Sequence, residues 1–164
     1  MKKLSLFLLL FIQYSCSTEP VADTSENTVL LKDSLINVLR NTDIAWSETA
    51  AKKGYHQSRL DFAANDAIDM LEGSMPLMGI DAIRKFVETH PDSDFVMSWH
   101  PVTADVAASG DLGYTFGSWK MILKLKEGKD STLFGDYLTV WKKQEDGSWK
   151  YVVDGGNDTP AEMK

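Results

Sequence analysis

From Leu31 the apolar residues fall at Leu31, Leu35, Val38, Leu39, Ala45, Trp46 and Ala50, close to the period of a helix with one buried face. Lys52 and Lys53 suit the negative end of a helix dipole, and Gly54 is placed to stop the helix. The spacing predicts a first helix over about 28–52. "GYHQSRLDFAA" predicts a shorter second helix ending near Ala64, and "AIDMLEG" a short strand turned by Gly73. A third helix is expected over about 80–89, burying Ile80, Ile83, Phe86 and Val87, with Asp81 in its first turn and His90-Pro91 at its end.

From Asp94 onward the pattern changes to period two. Strands are expected over about 94–108, 111–125, 132–143 and 148–154, joined by the turns "SGD", "KEGKD" and "EDG", because Gly within a break of 3–5 residues signals a hairpin. Pro101 inside the first long strand points to a bulge or an edge. Three helices followed by an antiparallel meander predict an α+β fold. In it the three N-terminal helices cover one face of the antiparallel sheet, and a strongly curved sheet wrapped around them would leave a cone with a pocket at its wide end.

The chain opens "MKKLSLFLLLFIQYSC". Lys2 and Lys3 form a positive region and Leu4–Ile12 an apolar one, too short to span a bilayer and shaped like a secretory signal over 1–15. Ser15-Cys16 resembles the lipobox of bacterial lipoproteins, with Gln13 where an aliphatic residue is usual. The resemblance implies a lipid attached to Cys16, the only cysteine, and a membrane-anchored exported protein. Residues 16–28 are polar and read as a flexible tether, leaving one domain over about 29–160. Cutting 1–15 removes two lysines and no acid, which moves the formal charge from −7 to −9. Such a balance opposes binding to nucleic acid or to anionic lipid, so membrane contact is expected only through the N-terminal anchor.

The segments "GIDAIRKF" (79–86), "SGDLGYTFGSW" (109–119) and above all "GDYLTVWKKQEDGSWKYVVD" (135–154) resemble the nuclear-transport-factor-2-like superfamily, in its SnoaL-like and ketosteroid-isomerase-like branch. The resemblance covers about 30–158. It implies a cystatin-like curved sheet, a cone-shaped cavity and homodimers packed through the sheet. The superfamily hosts isomerases, dehydratases, cyclases, hydrolases and non-catalytic binders, so the fold alone does not assign a reaction. Ketosteroid isomerase uses an Asp base with a Tyr and a protonated Asp as donors; its catalytic residues do not map onto this chain, and none is carried over.

Candidates for pocket chemistry are Asp154, Asp69, His100, Asp105, Tyr55, Tyr114 and Tyr137. Asp154 in "VVDGGND" has two readings: a carboxylate where the cone opens, or the start of an Asp-Gly-Gly turn that ends the last strand. His100 is either a proton shuttle in the pocket or a half-exposed residue beside a bulge. His56 and His90 read as a helix-surface and a helix-end residue. No two histidines stand at metal-ligand spacing and Cys16 is spent at the N-terminus, so no zinc or iron site is expected, and any enzyme here is expected to work without metal or organic cofactor. Aromatic rings at these spacings are usually core or interface. A ligand-binding wall, if present, should comprise Trp46, Tyr55, His100, Tyr114 and Asp154, though a single bulge would invert a strand's faces. No phosphate loop, Gly-x-Ser-x-Gly elbow or Cys-His pair is found.

Three functions fit. The first is an exported domain binding a small, largely apolar molecule. The second is an isomerase, dehydratase or cyclase with Asp154 or His100 as base and Tyr114 or Tyr55 as donor. The third is an assembly module using the sheet face. An enzyme requires an Asp or His with a perturbed titration facing a reachable cavity; a binder requires only the cavity; an assembly module requires neither.

Overall fold

The computed structural model describes residues 24–125 and 128–161, with side-chain surroundings from residue 29. The expected signal and Cys16 lie outside the described residues. The elements are α1 (Thr24–Lys53), α2 (Tyr55–Phe62), β1 (Ala63–Met70), β2 (Leu77–Met78), α3 (Ile80–Thr89), β3 (Phe95–Val106), β4 (Leu112–Leu123), β5 (Ser131–Lys143) and β6 (Trp149–Thr159). Helix α1 starts within the stretch expected as tether, and α3 has its expected bounds. Among the described residues no helix is long and apolar enough to cross a membrane.

The strands form one six-stranded sheet in the order β2-β1-β6-β5-β4-β3, and the helices cover one of its faces. The fold is α+β as expected, but the sheet is not wholly antiparallel. β1 pairs parallel to β6, with Asp69 beside Asp154. The chain enters β1 directly from α2 through the extended Ala63, so one end of the sheet is tied to the helical layer.

The core is aromatic. Trp46 of α1 stacks on Tyr151 at 4.8 Å and on Phe62 at 5.8 Å, and meets Trp99 and Trp141 edge-on at 5.2 and 5.9 Å. Such pairs stabilise beyond their buried area by about 0.5–1.5 kcal/mol each. The buried stripe of α1 runs Leu39, Asp43, Trp46, Ala50, so a carboxyl is set among rings on the face that packs against the sheet.

Two local features set the faces of the sheet. In β3 the register shifts between Pro101 and Thr103, the bulge that Pro101 foretold. In β6 Tyr151 pairs with Trp141 and Val153 with Val140, so Val152 is an extra residue and the strand's facing changes across it. Tyr151 packs inward against Trp46, and Asp154, three residues on, also faces inward. Simple alternation would have turned it away.

The turn reading of Asp154-Gly155-Gly156 is overturned. β6 runs on to Thr159, and neither glycine has a positive φ. These positions are glycine because of crowding: a Cβ on Gly156 would lie 2.3 Å from the Asp136 carbonyl oxygen, and one on Gly155 would lie 2.7 Å from the end of the Met70 side chain.

Candidate functional site

Between the helices and the sheet lies a narrow cavity of about 20 Å³, room for about one water. Its floor is polar: Asp154 of β6 and Thr139 and Tyr137 of β5. Its walls are Trp46, Trp99 and Trp119. Tyr55, Met97 and Trp119 also line an open bowl of about 410 Å³. Leu71, Phe86, Met121 and Leu133 form the apolar part of the bowl, and Arg59, Glu72, Asn157 and Asp158 its polar part.

Asp154 is buried and accepts one hydrogen bond, 2.6 Å from the Thr139 hydroxyl to its Oδ1. Burial and the neighbouring Asp69 carboxyl push its pKa up to about 7, against the smaller opposing pull of Thr139 and Arg59. Desolvation penalises the charged carboxylate, and a second carboxylate close by penalises it again. At neutral pH Asp154 is therefore divided between acid and base forms, the condition a general base needs.

Two further carboxyls are buried close by. Asp43 accepts from Trp99 Nε1 at 2.7 Å and from the Tyr137 hydroxyl at 2.7 Å; burial raises its pKa despite these bonds. Tyr137 therefore directs its proton to Asp43, and burial beside that carboxyl raises its own pKa. Asp69 faces the buried Arg59, with Nε 3.5 Å from Oδ2. Its pKa is raised by burial and pulled back by the guanidinium.

Arg59 also donates from Nη2 to the Tyr55 hydroxyl at 2.8 Å and lies over the Tyr55 ring at 4.4 Å. The Tyr55 oxygen thus accepts a hydrogen bond from a cation, and its own O–H is left to donate elsewhere. Burial raises the Tyr55 pKa, with Arg59 pulling the other way, so the phenol keeps its proton at neutral pH.

Of the five residues expected to form the wall, Trp46, Tyr55 and Asp154 meet at the cavity. His100 and Tyr114 do not. Trp99 points in, so its neighbour His100 is on the far face, with Nε2 3.5 Å from Ser118 Oγ. Thr115 is buried facing Trp141, whose Nε1 donates to it at 2.8 Å, so Tyr114 is exposed on the far face. Asp105 pairs with Lys32 at the surface. Sequence reasoning missed Asp43, Arg59, Trp99 and Thr139. Asp43 could have been found, because it falls on the apolar stripe of α1 at helical spacing from Leu39 and Trp46. Among the described residues no group of three or more His, Cys, Asp or Glu could hold a metal ion.

No family model matches the sequence, and no curated protein does. Solved structures do. A ketosteroid isomerase-like protein from Erwinia carotovora matches with a TM-score of 0.62 at 15% identity, over 77% of this chain and 97% of that one. An NTF2-like protein from Novosphingobium aromaticivorans matches with a TM-score of 0.58 at 13% identity, over 82% and 86%. The fold is NTF2-like and cystatin-like. A hexachlorocyclohexane dehydrochlorinase from Novosphingobium barchaimii has it too, with a TM-score of 0.56 at 18% identity, over 82% and 91%. At these identities the likeness speaks for the NTF2-like fold alone.

Proposed function

We propose that the protein is a proton-transfer enzyme of the isomerase or dehydratase type, acting on a small, largely apolar carbonyl compound. Asp154 is its general base, and the observation that carries the reading is this buried carboxyl, raised to about 7, facing a cavity that shares Tyr55, Met97 and Trp119 with the bowl. The Asp154 carboxylate takes a proton from the carbon next to the carbonyl. The oxygen that gains negative charge is met by the Tyr55 O–H, which the Arg59 guanidinium polarises. Asp154 then returns the proton at another carbon, or passes it to a departing hydroxyl, which leaves as water. Base and donor are both side chains, so the reaction needs no bound cofactor. We infer that Met97, which lines both cavity and bowl, is the side chain that must turn aside for a substrate to reach Asp154.

The bowl's volume lies within the range of ordinary ligand pockets, which favours binding without turnover as a second reading. The two separate on 3-cyclohexen-1-one, a probe whose isomerisation to the conjugated ketone raises ultraviolet absorbance. The expected result is turnover above the buffer rate, reduced about 10²–10⁴-fold in Asp154→Asn. Saturable binding without turnover would leave a binding domain, and equal rates in the two proteins would remove Asp154 from the chemistry.

We also propose that the domain works outside the cytoplasm, held by a lipid on Cys16. The support is the charged and apolar start of the chain and the small residue before Cys16. Cys16→Ser should move the protein from the detergent-rich to the aqueous phase in detergent partitioning.

A further inference from the structure

His56 was expected to be a helix-surface residue, yet it forms part of the bowl wall. Its Nδ1 lies 2.8 Å from the His90 carbonyl oxygen and 3.3 Å from Asp92 Oδ1. A carbonyl only accepts, so Nδ1 carries the hydrogen and Nε2 presents a lone pair. Nε2 has no hydrogen-bond partner among the described residues.

The fold holds this ring firmly. The Asp92 carboxylate accepts from the backbone N–H groups of His56 at 3.0 Å and Gln57 at 3.3 Å, capping α2 from the loop after α3. It can do so because residue 54 is glycine: a Cβ there would lie 2.2 Å from Asp92 Oδ2. The rings of Phe86, Phe95 and Tyr55 surround the imidazole at 5.2, 5.3 and 5.5 Å. Burial, the first cause, and the Arg59 charge hold the His56 pKa below its usual value against the opposing pull of Asp92 and the His90 carbonyl. The ring therefore stays neutral at physiological pH.

We propose that His56 is a hydroxyl-recognition site in the bowl: its Nε2 accepts a hydrogen bond from the hydroxyl of a ligand whose remainder is an apolar ring. This deepens the proposed function and uses the same bowl. It places a hydroxyl at His56 and leaves the reacting carbon to Asp154. A neutral, otherwise apolar ring suits the Phe86, Met97 and Leu133 lining, and a lone-pair acceptor selects a donor over an ether or a ketone.

The test uses p-cresol, a phenol that keeps its proton at neutral pH, as probe, with 4-methylanisole, which lacks the donor, as control. In ¹⁵N-labelled protein, p-cresol should shift the His56 Nε2 resonance, and 4-methylanisole should leave it in place. Affinity for p-cresol should fall about tenfold in His56→Phe, the loss of one buried hydrogen bond. His100→Phe, on the far face of the sheet, should bind within twofold of the parent. The resonance shift and the comparison with the methyl ether are both read on the parent protein, and they decide the proposal should His56→Phe not fold. The proposal is overturned if saturating p-cresol leaves Nε2 unmoved, if the protein does not bind it, or if the anisole binds as tightly. Failure of the ketone isomerisation would leave these readouts as expected, so the two proposals fail separately.

Discussion

Asp154→Asn should make the protein more stable at pH 8. An Asn cannot ionise, has nearly the shape of the carboxyl, and keeps an Oδ1 to accept from Thr139, so the substitution removes a buried charge and little else. In the unfolded chain the carboxyl titrates at its ordinary 3.8, and in the fold at about 7. The folded state therefore binds this proton more tightly than the unfolded state. The contribution of Asp154 to stability is greatest below pH 3.8, falls as pH rises towards 7, and levels off above it. The interval is roughly three pH units at about 1.36 kcal/mol each, so ionised Asp154 costs up to about 4 kcal/mol at pH 8. Urea unfolding of both proteins from pH 4 to 8 measures it. The variant should gain over the parent as pH rises, by up to about 4 kcal/mol, and the two should converge near pH 4. A functional group held at the expense of stability gives this signature. The reasoning is refuted if Asp154→Asn is less stable than the parent at pH 8, because the carboxylate would then be a stabilising, well-paired anion.

Three other substitutions probe the neighbouring structure. Tyr55→Phe should cut turnover of the cyclohexenone probe about 10²-fold or more with little change in KM, because it removes a donor used only as charge develops; steady-state kinetics reads the split. Gly156→Ala should destabilise by about 1–3 kcal/mol in urea unfolding, because the new methyl meets the Asp136 carbonyl of the paired strand. We propose that the far face of the sheet is a homodimer interface, since Val102, Leu112, Tyr114 and Leu138 are exposed large side chains there. Sedimentation should then show a dimer in the parent and a monomer in Leu138→Lys, with a parental monomer contradicting the proposal.

The fold was legible because it rests on periodicity. The stripe Leu39, Trp46, Ala50 and the alternation in β4 and β5 fix helix and strand before any contact is known. β1 was legible as a strand but not as the parallel neighbour of β6, since pairing across some 85 positions leaves no local mark. The site was legible only in part, because face depends on register. Trp46 lies on a regular helix and was placed inward. Asp154 was a candidate on position, but the extra Val152 that aims it inward is not visible in "WKYVVDGGND". Gly155-Gly156 looked like a turn, because glycine chosen for crowding and glycine chosen for backbone freedom read alike. Tyr114 and His100 were placed with the pocket residues, yet Trp119 and Trp99, on the opposite faces of the same strands, form its wall. His56 and Asp92 lie 36 residues apart, and only the fold joins them.

The most direct test of the account is a ¹³C NMR titration of the Asp154 carboxyl, assigned by its absence from Asp154→Asn. The account predicts a midpoint near pH 7, moved down when Asp69→Asn removes the neighbouring charge. A midpoint at or below the ordinary 3.8 would contradict it, leaving Asp154 an anion with no proton to exchange at neutral pH.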